Sequence, residues 1–176
     1  MLDQIRTFLS ENRVALILCG FGLAGFAVIW FSSPWGIGVG YDSIFYLSAA
    51  ENLLSGSGLS RLDGFGNIIP LTHFPPLYPL LLAALSFILR MDMVSVSGLL
   101  SAISFGCLVF LTGWLVYSTT KNSIPGILSA MIVLSSPVLL DLQFLAMTES
   151  IFLVFLLSMF WFLNKFFDEE KTWQLI

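Results

Sequence analysis

Four long apolar runs, at 14–33, 94–117, 124–140 and 150–167, alternate with short polar stretches along the chain. About 20 apolar residues span a bilayer core, so each run is read as a transmembrane helix. The first follows a polar start that carries Arg6 and Arg13, and its glycines offer helix-packing points. It is longer than the apolar core of a cleaved signal peptide, and Ser32-Ser33-Pro34-Trp35 is a poor small-x-small cleavage site. An uncleaved signal anchor is therefore expected.

The stretch 34–93 breaks this pattern and is expected to be an external loop. Asp42 stands where a helix N-cap belongs, ahead of Ile44, Phe45, Leu47, Ala50, Leu53 and Leu54, mostly at helical spacing. Gly56-Ser57-Gly58 ends that helix, which is too short and too polar to span and so is placed along the membrane interface. Arg61 to Thr72 reads as irregular, with Asp63-Gly64 and Asn67 as turn signals. Pro75-Pro76 then opens a helix from about Leu77 to Leu89. From Pro76 to Arg90 it would rise only ~22 Å against a hydrocarbon core of ~30 Å.

Composition settles the class. The chain of 176 residues is 57% hydrophobic and 10% charged, against roughly 25% charged in globular domains. A water-facing surface cannot be assembled from that supply, so the fold class is an all-α polytopic membrane protein with two interfacial helices in the first external loop. Cys19 and Cys107 both fall within apolar runs and read as small hydrophobes. The acidic run Asp168-Glu169-Glu170 reads as a solvated membrane exit, and nothing is basic enough for nucleic acid.

Charge also chooses a topology. If Pro76–Arg90 does not cross and the N-terminus is cytoplasmic, Arg6, Arg13, Lys121, Lys165 and Lys171 are inside, with Arg61 and Arg90 outside. If it crosses, Arg6, Arg13 and Arg90 are inside, and Arg61, Lys121, Lys165 and Lys171 outside. The first arrangement obeys the positive-inside rule. It also brings Asp42, His73, Asp141 and Glu149 to one non-cytoplasmic face.

Among these groups, Asp42 is the candidate general base, because a carboxylate at a helix N-terminus stays ionised; the plain alternative is a cap. Glu149 is either a first-turn acid or a group turned into a site. Asp141 and Glu51 read as solvated. His73, the only histidine, suits a local hydrogen bond, a phosphate contact or a place beside a carboxylate on a divalent metal. No glycine-rich phosphate loop, HExxH or GxSxG is present.

Tyr41-Asp42-Ser43 with Tyr46, Ala50 and Leu54-x-Gly56-x-Gly58 forms the first of several ordered blocks. His73-Phe74-Pro75-Pro76-Leu77-Tyr78-Pro79-Leu80, Ser136-Pro137 and Ala146-Met147-Thr148-Glu149-Ser150 follow. In this order and spacing the chain resembles the N-terminal part of a GT-C class membrane glycosyltransferase. Within that class it resembles the dolichyl-phosphate-mannose protein mannosyltransferase-like and aminoarabinose-transferase-like proteins. The resemblance implies a sugar donor on a polyprenyl phosphate, an acceptor glycan, lipid or protein, and Asp42 as the base that deprotonates the acceptor. It carries Glu149 and His73 over as substrate-site residues. Ser43 stands where many members have a second acid, which argues against a two-carboxylate or metal-assisted variant. The family fold has many more spans, so the chain is expected to be a fragment or truncated product, inactive alone.

The leading expectation is inverting sugar transfer from a lipid-linked donor on the non-cytoplasmic side of the plasma (inner) membrane. Arg61 or Arg90 would contact the donor phosphate or lipid headgroups. A non-catalytic membrane subunit or scaffold is the alternative. A transporter is disfavoured because no run carries an ionisable residue at mid-depth.

Overall fold

A computed structural model describes the backbone of residues 2–168 and the side chains of residues 12–167. The side chains of Arg6, Lys171 and the Asp168-Glu169-Glu170 run, all named above, lie outside the described residues. The order is α1 (Leu2–Ser32), α2 (Tyr41–Leu54), β1 (Ser60–Leu62), β2 (Ile68–Pro70), α3 (Leu77–Leu89), α4 (Met93–Thr120), α5 (Ser123–Leu134), α6 (Pro137–Gln143) and α7 (Glu149–Asp168). Asn12–Ser32, Met93–Thr120 and Glu149–Phe167 are each long and apolar enough to cross a membrane. The pair Ser123–Leu134 and Pro137–Gln143 passes the same test together, bent by 56°. The run 124–140 is thus a broken helix. Pro137 is the first residue of α6 and has no N–H to continue the ladder of α5.

α1 and α4 pack antiparallel through glycines. A Cβ on Gly22 would stand 2.9 Å from the carbonyl oxygen of Gly106, and one on Gly106 2.8 Å from that of Gly22. Farther along, Leu18 meets Gly113, which also meets Gly126 of α5. Small residues let apolar helices approach to backbone distance, where dispersion rather than water holds them. The core around Leu18, Ile29, Phe105 and Val109 fills this seam.

The antiparallel seam decides the path of 34–92. Gly36, just past α1, sits against Val94 at the start of α4, where a Cβ would come within 2.8 Å. The excursion therefore leaves and returns at the same end of the bundle, and α3 does not cross it. α3 instead packs on α2 and the first turns of α4, in a second core of Tyr46, Leu47, Tyr78, Leu82, Met93 and Val96. Arg61 and Arg90 belong to this excursion. Arg13, Lys121 and Lys165 sit toward the other end, reached by the start of α1, the α4–α5 turn and the last turns of α7.

The segment Arg61–Thr72 is more ordered than its sequence suggests. β1 and β2 form an antiparallel hairpin, with Ser60 opposite Pro70 and Leu62 opposite Ile68. Asp63 builds its turn, accepting the N–H groups of Phe65 and Asn67, each at 2.8 Å, and the Asn67 side-chain amide at 2.9 Å. Those bonds, the Asn67 side chain foremost, hold the Asp63 carboxyl below its ordinary range. Asp63 is occupied structurally.

Asp92 caps α4, its carboxylate accepting Ser95 N–H at 2.9 Å and the Ser95 hydroxyl at 2.6 Å. The Ser95 side chain, then its backbone N–H, lowers the Asp92 pKa. A depressed carboxylate pKa stabilises the fold above the unfolded value and loses that contribution as pH falls through the folded one. Asp92→Ala is expected to lower stability by about 1 kcal/mol at pH 7. The difference from wild type should shrink below about pH 4, as followed by thermal unfolding at a series of pH values.

Candidate functional site

The start of α2 and the start of α7 are joined by a single pair of backbone hydrogen bonds. Gly38 N–H donates to the Phe144 carbonyl at 2.8 Å, and Ala146 N–H donates to the Gly38 carbonyl at 3.0 Å. This isolated parallel bridge, Gly38 with Leu145, sets two helix N-termini side by side at one end of the bundle. Glycine is required there, because a Cβ on residue 38 would stand 2.8 Å from the Phe144 oxygen and 3.1 Å from Leu145. Gly38→Ala is expected to cost about 1–3 kcal/mol by overpacking and to part the two N-termini. A lower thermal midpoint would report the strain.

Each N-terminus carries one acid in its first turn, Asp42 on α2 and Glu149 on α7, where the helix dipole favours negative charge. Asp42 is not the cap that its position suggests. Gly40 is the N-cap, and the Ser43 hydroxyl accepts the Gly40 N–H at 3.0 Å. A glycine cap carries no side-chain signal, and that moved the expected helix start by two residues. The half-buried Asp42 carboxylate is thereby free of the capping role.

Both acids act on one buried phenol. Tyr46, one turn after Asp42, is only 4% exposed. Burial raises its pKa, a hydrogen bond with Thr148 opposes this, and the negative charges of Glu149 and Asp42 raise it further. The Thr148 hydroxyl donates to Glu149 Oε2 at 3.3 Å. Thr148 therefore lies between the Tyr46 phenol and the Glu149 carboxylate.

Tyr46 packs edge-on against Tyr78, with ring centroids 5.3 Å apart, and against Phe74 at 5.2 Å. Tyr78 is buried at the start of α3. Burial first, then Tyr46 and Glu149, drive its phenol well above the usual range. Ser97 approaches closely enough to pull the other way, but its hydroxyl donates to the Val94 carbonyl at 2.9 Å. The Tyr78 hydroxyl makes no hydrogen bond of normal geometry. Beside it, Glu149, Thr148, Ile151, Phe152 and Phe155 line a pocket of about 260 Å³. Buried side-chain polar atoms without a partner are also found on Gln143 and Ser150, in the elements that meet at this corner.

The other expected site residues stay apart from it. His73 is exposed and bonds the neighbouring Thr72 hydroxyl at 3.1 Å; Phe74, the next residue, is the one that reaches α2. Arg61 lies over the Phe45 ring, 4.6 Å from its centroid, on the helix that carries Asp42. Arg90 is exposed and closes α3 in a left-handed conformation, φ 54°, at the end opposite Tyr78 and so about 18 Å along the helix. Asp141 is exposed on α6 rather than in a loop, and Glu51 is exposed on α2. Among the described residues no three His, Cys, Asp or Glu side chains come together as a metal set. Tyr46, Tyr78 and Thr148 were not singled out for chemistry from the sequence. The only local signal was the four-residue spacing of Asp42 and Tyr46, which puts them on one helix face.

No family model, no curated protein and no solved structure matches the chain.

Proposed function

We propose that this end of the bundle transfers a sugar from a polyprenyl-phosphate donor to a hydroxyl or amine acceptor on the non-cytoplasmic side of the membrane. The acceptor oxygen or nitrogen attacks the anomeric carbon with inversion. The bond to the phosphate oxygen breaks with its electron pair, and the acceptor proton passes to Asp42. A phosphate leaving group is stable as an anion, so positioning and one base are the main requirements.

The observation that carries this reading is the convergence of Asp42 and Glu149 on Tyr46, from two helix N-termini, beside a pocket with apolar walls. The first of the ordered sequence blocks that resemble the glycosyltransferases contains Asp42 and the last contains Glu149, and these are the residues so joined. Arg61, on the same excursion, is the cation suited to the donor phosphate. The orientation rests on charge: Arg13, Lys121 and Lys165 lie toward the opposite end, which the positive-inside rule makes cytoplasmic. The test is release of polyprenyl phosphate by the intact protein in liposomes, wild type against Asp42→Asn.

A second reading, a non-catalytic membrane subunit, is favoured by the uncovered apolar faces. Only 11% of the spanning window of α7 and 28% of that of α1 are buried. Wild-type protein that releases polyprenyl phosphate from no lipid-linked sugar would support it.

A further inference from the structure

We propose that the pocket where α1 ends and α4 begins seats one phospholipid with a zwitterionic, amine-bearing headgroup, its phosphate on Arg90 and its ammonium on Asp92. The site lies at the far end of α3 from Tyr78 and does not depend on the transferase reading.

Position selects a lipid first. Ile29, Trp30, Phe31 and Ser33 line this pocket from the end of α1, and Met91 and Ser95 from around the start of α4. The segments long and apolar enough to cross a membrane stop at Ser32 and start at Met93. The cavity therefore lies where hydrocarbon gives way to headgroups. Its volume of about 400 Å³ falls within the ~300–1,000 Å³ of small-molecule sites, which suits a headgroup and leaves the chains outside. Phe31 is 77% exposed and carries the apolar wall onto the membrane-facing surface of α1, where an acyl chain can follow.

Charge selects the headgroup. Ser95, in the pocket wall, donates its hydroxyl to Asp92 Oδ2 at 2.6 Å, which fixes that carboxylate at the rim. Arg90 is exposed and directly precedes Met91 of the wall. These opposite charges stand two residues apart, yet neither forms an ion pair with a described residue. The Ser33 hydroxyl also has no hydrogen-bond partner among the described residues. A guanidinium only donates and a carboxylate only accepts. A phosphodiester next to a primary ammonium matches that spread, since the phosphate accepts from Arg90 and Ser33 while the ammonium donates to Asp92. A purely anionic headgroup would meet the Asp92 charge and be repelled. A quaternary ammonium has no N–H to donate.

The local backbone supplies variants that separate binding from folding. Arg90 closes α3 at φ 54°, a left-handed position that glycine takes without steric cost. Arg90→Gly thus removes the guanidinium and suits the cap. Asp92→Asn removes the charge, and asparagine caps a helix as well as aspartate does. The intact protein in lipid-free maltoside micelles is titrated with dioctanoyl phosphatidylethanolamine, phosphatidylglycerol and phosphatidylcholine, and with soluble phosphoethanolamine. Native mass spectrometry gives the affinities, and thermal unfolding without lipid gives the stabilities.

The ethanolamine lipid is expected to bind about 10-fold more tightly than either of the other two. Arg90→Gly and Asp92→Asn should each weaken it by about 10-fold or more, the scale of a hydrogen bond to a charged group. Their lipid-free midpoints should stay close to that of wild type, and Arg90→Lys, which keeps the charge, should retain most of the binding. The inference is overturned if the three lipids bind equally, if the glycerol lipid binds best, or if both substitutions leave the preference intact. Soluble phosphoethanolamine binding as tightly as its lipid would also overturn it, because the cavity would then serve a water-borne ligand.

Discussion

Asp42→Asn should reduce polyprenyl-phosphate release by roughly 10²–10⁴-fold, the range that a positioned general base contributes, with folding almost untouched. The substitution is unusually clean. Gly40 is the cap and Ser43 takes its N–H, so residue 42 supports no capping bond. The carboxylate's interaction with the helix dipole is worth about 0.3–1 kcal/mol at an accessible site. Asparagine keeps the shape and cannot take a proton. Turnover is measured in liposomes with candidate lipid-linked sugars, beside a thermal midpoint for each variant. Wild-type rates from the asparagine variant would leave Asp42 no role in proton transfer.

The second large effect concerns the frame rather than the chemistry. Gly106→Leu should destabilise the protein by about 3 kcal/mol, the upper end of overpacking penalties. The reason is that even its Cβ would stand 2.8 Å from the Gly22 carbonyl oxygen, and backbone cannot swing aside as a side chain does. For a chain of this size that is a drop of roughly 6–12 °C in thermal midpoint. Gly20→Ala provides the contrast, since a Cβ there meets nothing within 4 Å. It should hold or raise the midpoint, because alanine is the better helix former by about 1 kcal/mol. Equal losses from both would mean that α1 and α4 do not meet along the Gly22–Gly106 seam.

The long elements were readable because their signals are local and strong. α3 begins and ends as its sequence implies, since Pro75-Pro76 cannot lie inside a helix and the apolar run stops at Arg90. The apolar runs mark the long helices because length and hydropathy alone decide whether a segment can cross. What escaped depends on single contacts or silent residues. The hairpin has three residues per strand, too few to alternate visibly, and is organised by Asp63 rather than by its strands. The Gly40 cap has no side chain to announce it. The bend ahead of Pro137 is marked only by Ser135-Ser136-Pro137, a break too short to divide the apolar run.

The site was half legible. Asp42 and Glu149 stood out as acids at helix starts, and the charge count placed them on one face. What joins them is the Gly38–Leu145 bridge and the Tyr46–Thr148 contact, which pair residues about a hundred positions apart and leave no periodic trace. His73 looked eligible by its chemistry and its place before Phe74-Pro75-Pro76. The backbone there turns Phe74 toward α2 and leaves the imidazole exposed.

Everything functional rests on Asp42 and Glu149 sharing one membrane face, and cysteine labelling tests that most directly. Cys19 and Cys107 are replaced by alanine, and single cysteines are placed at Ser57, Arg90, Asp141 and Thr120, all exposed. A membrane-impermeant maleimide is then applied to sealed vesicles of each orientation. The account predicts that positions 57, 90 and 141 label together from one side and position 120 only from the other. Labelling of position 90 from the opposite side to position 57 would mean that α3 crosses. Labelling of position 141 from the opposite side to position 57 would place Glu149 away from Asp42. Either result would contradict the shared site.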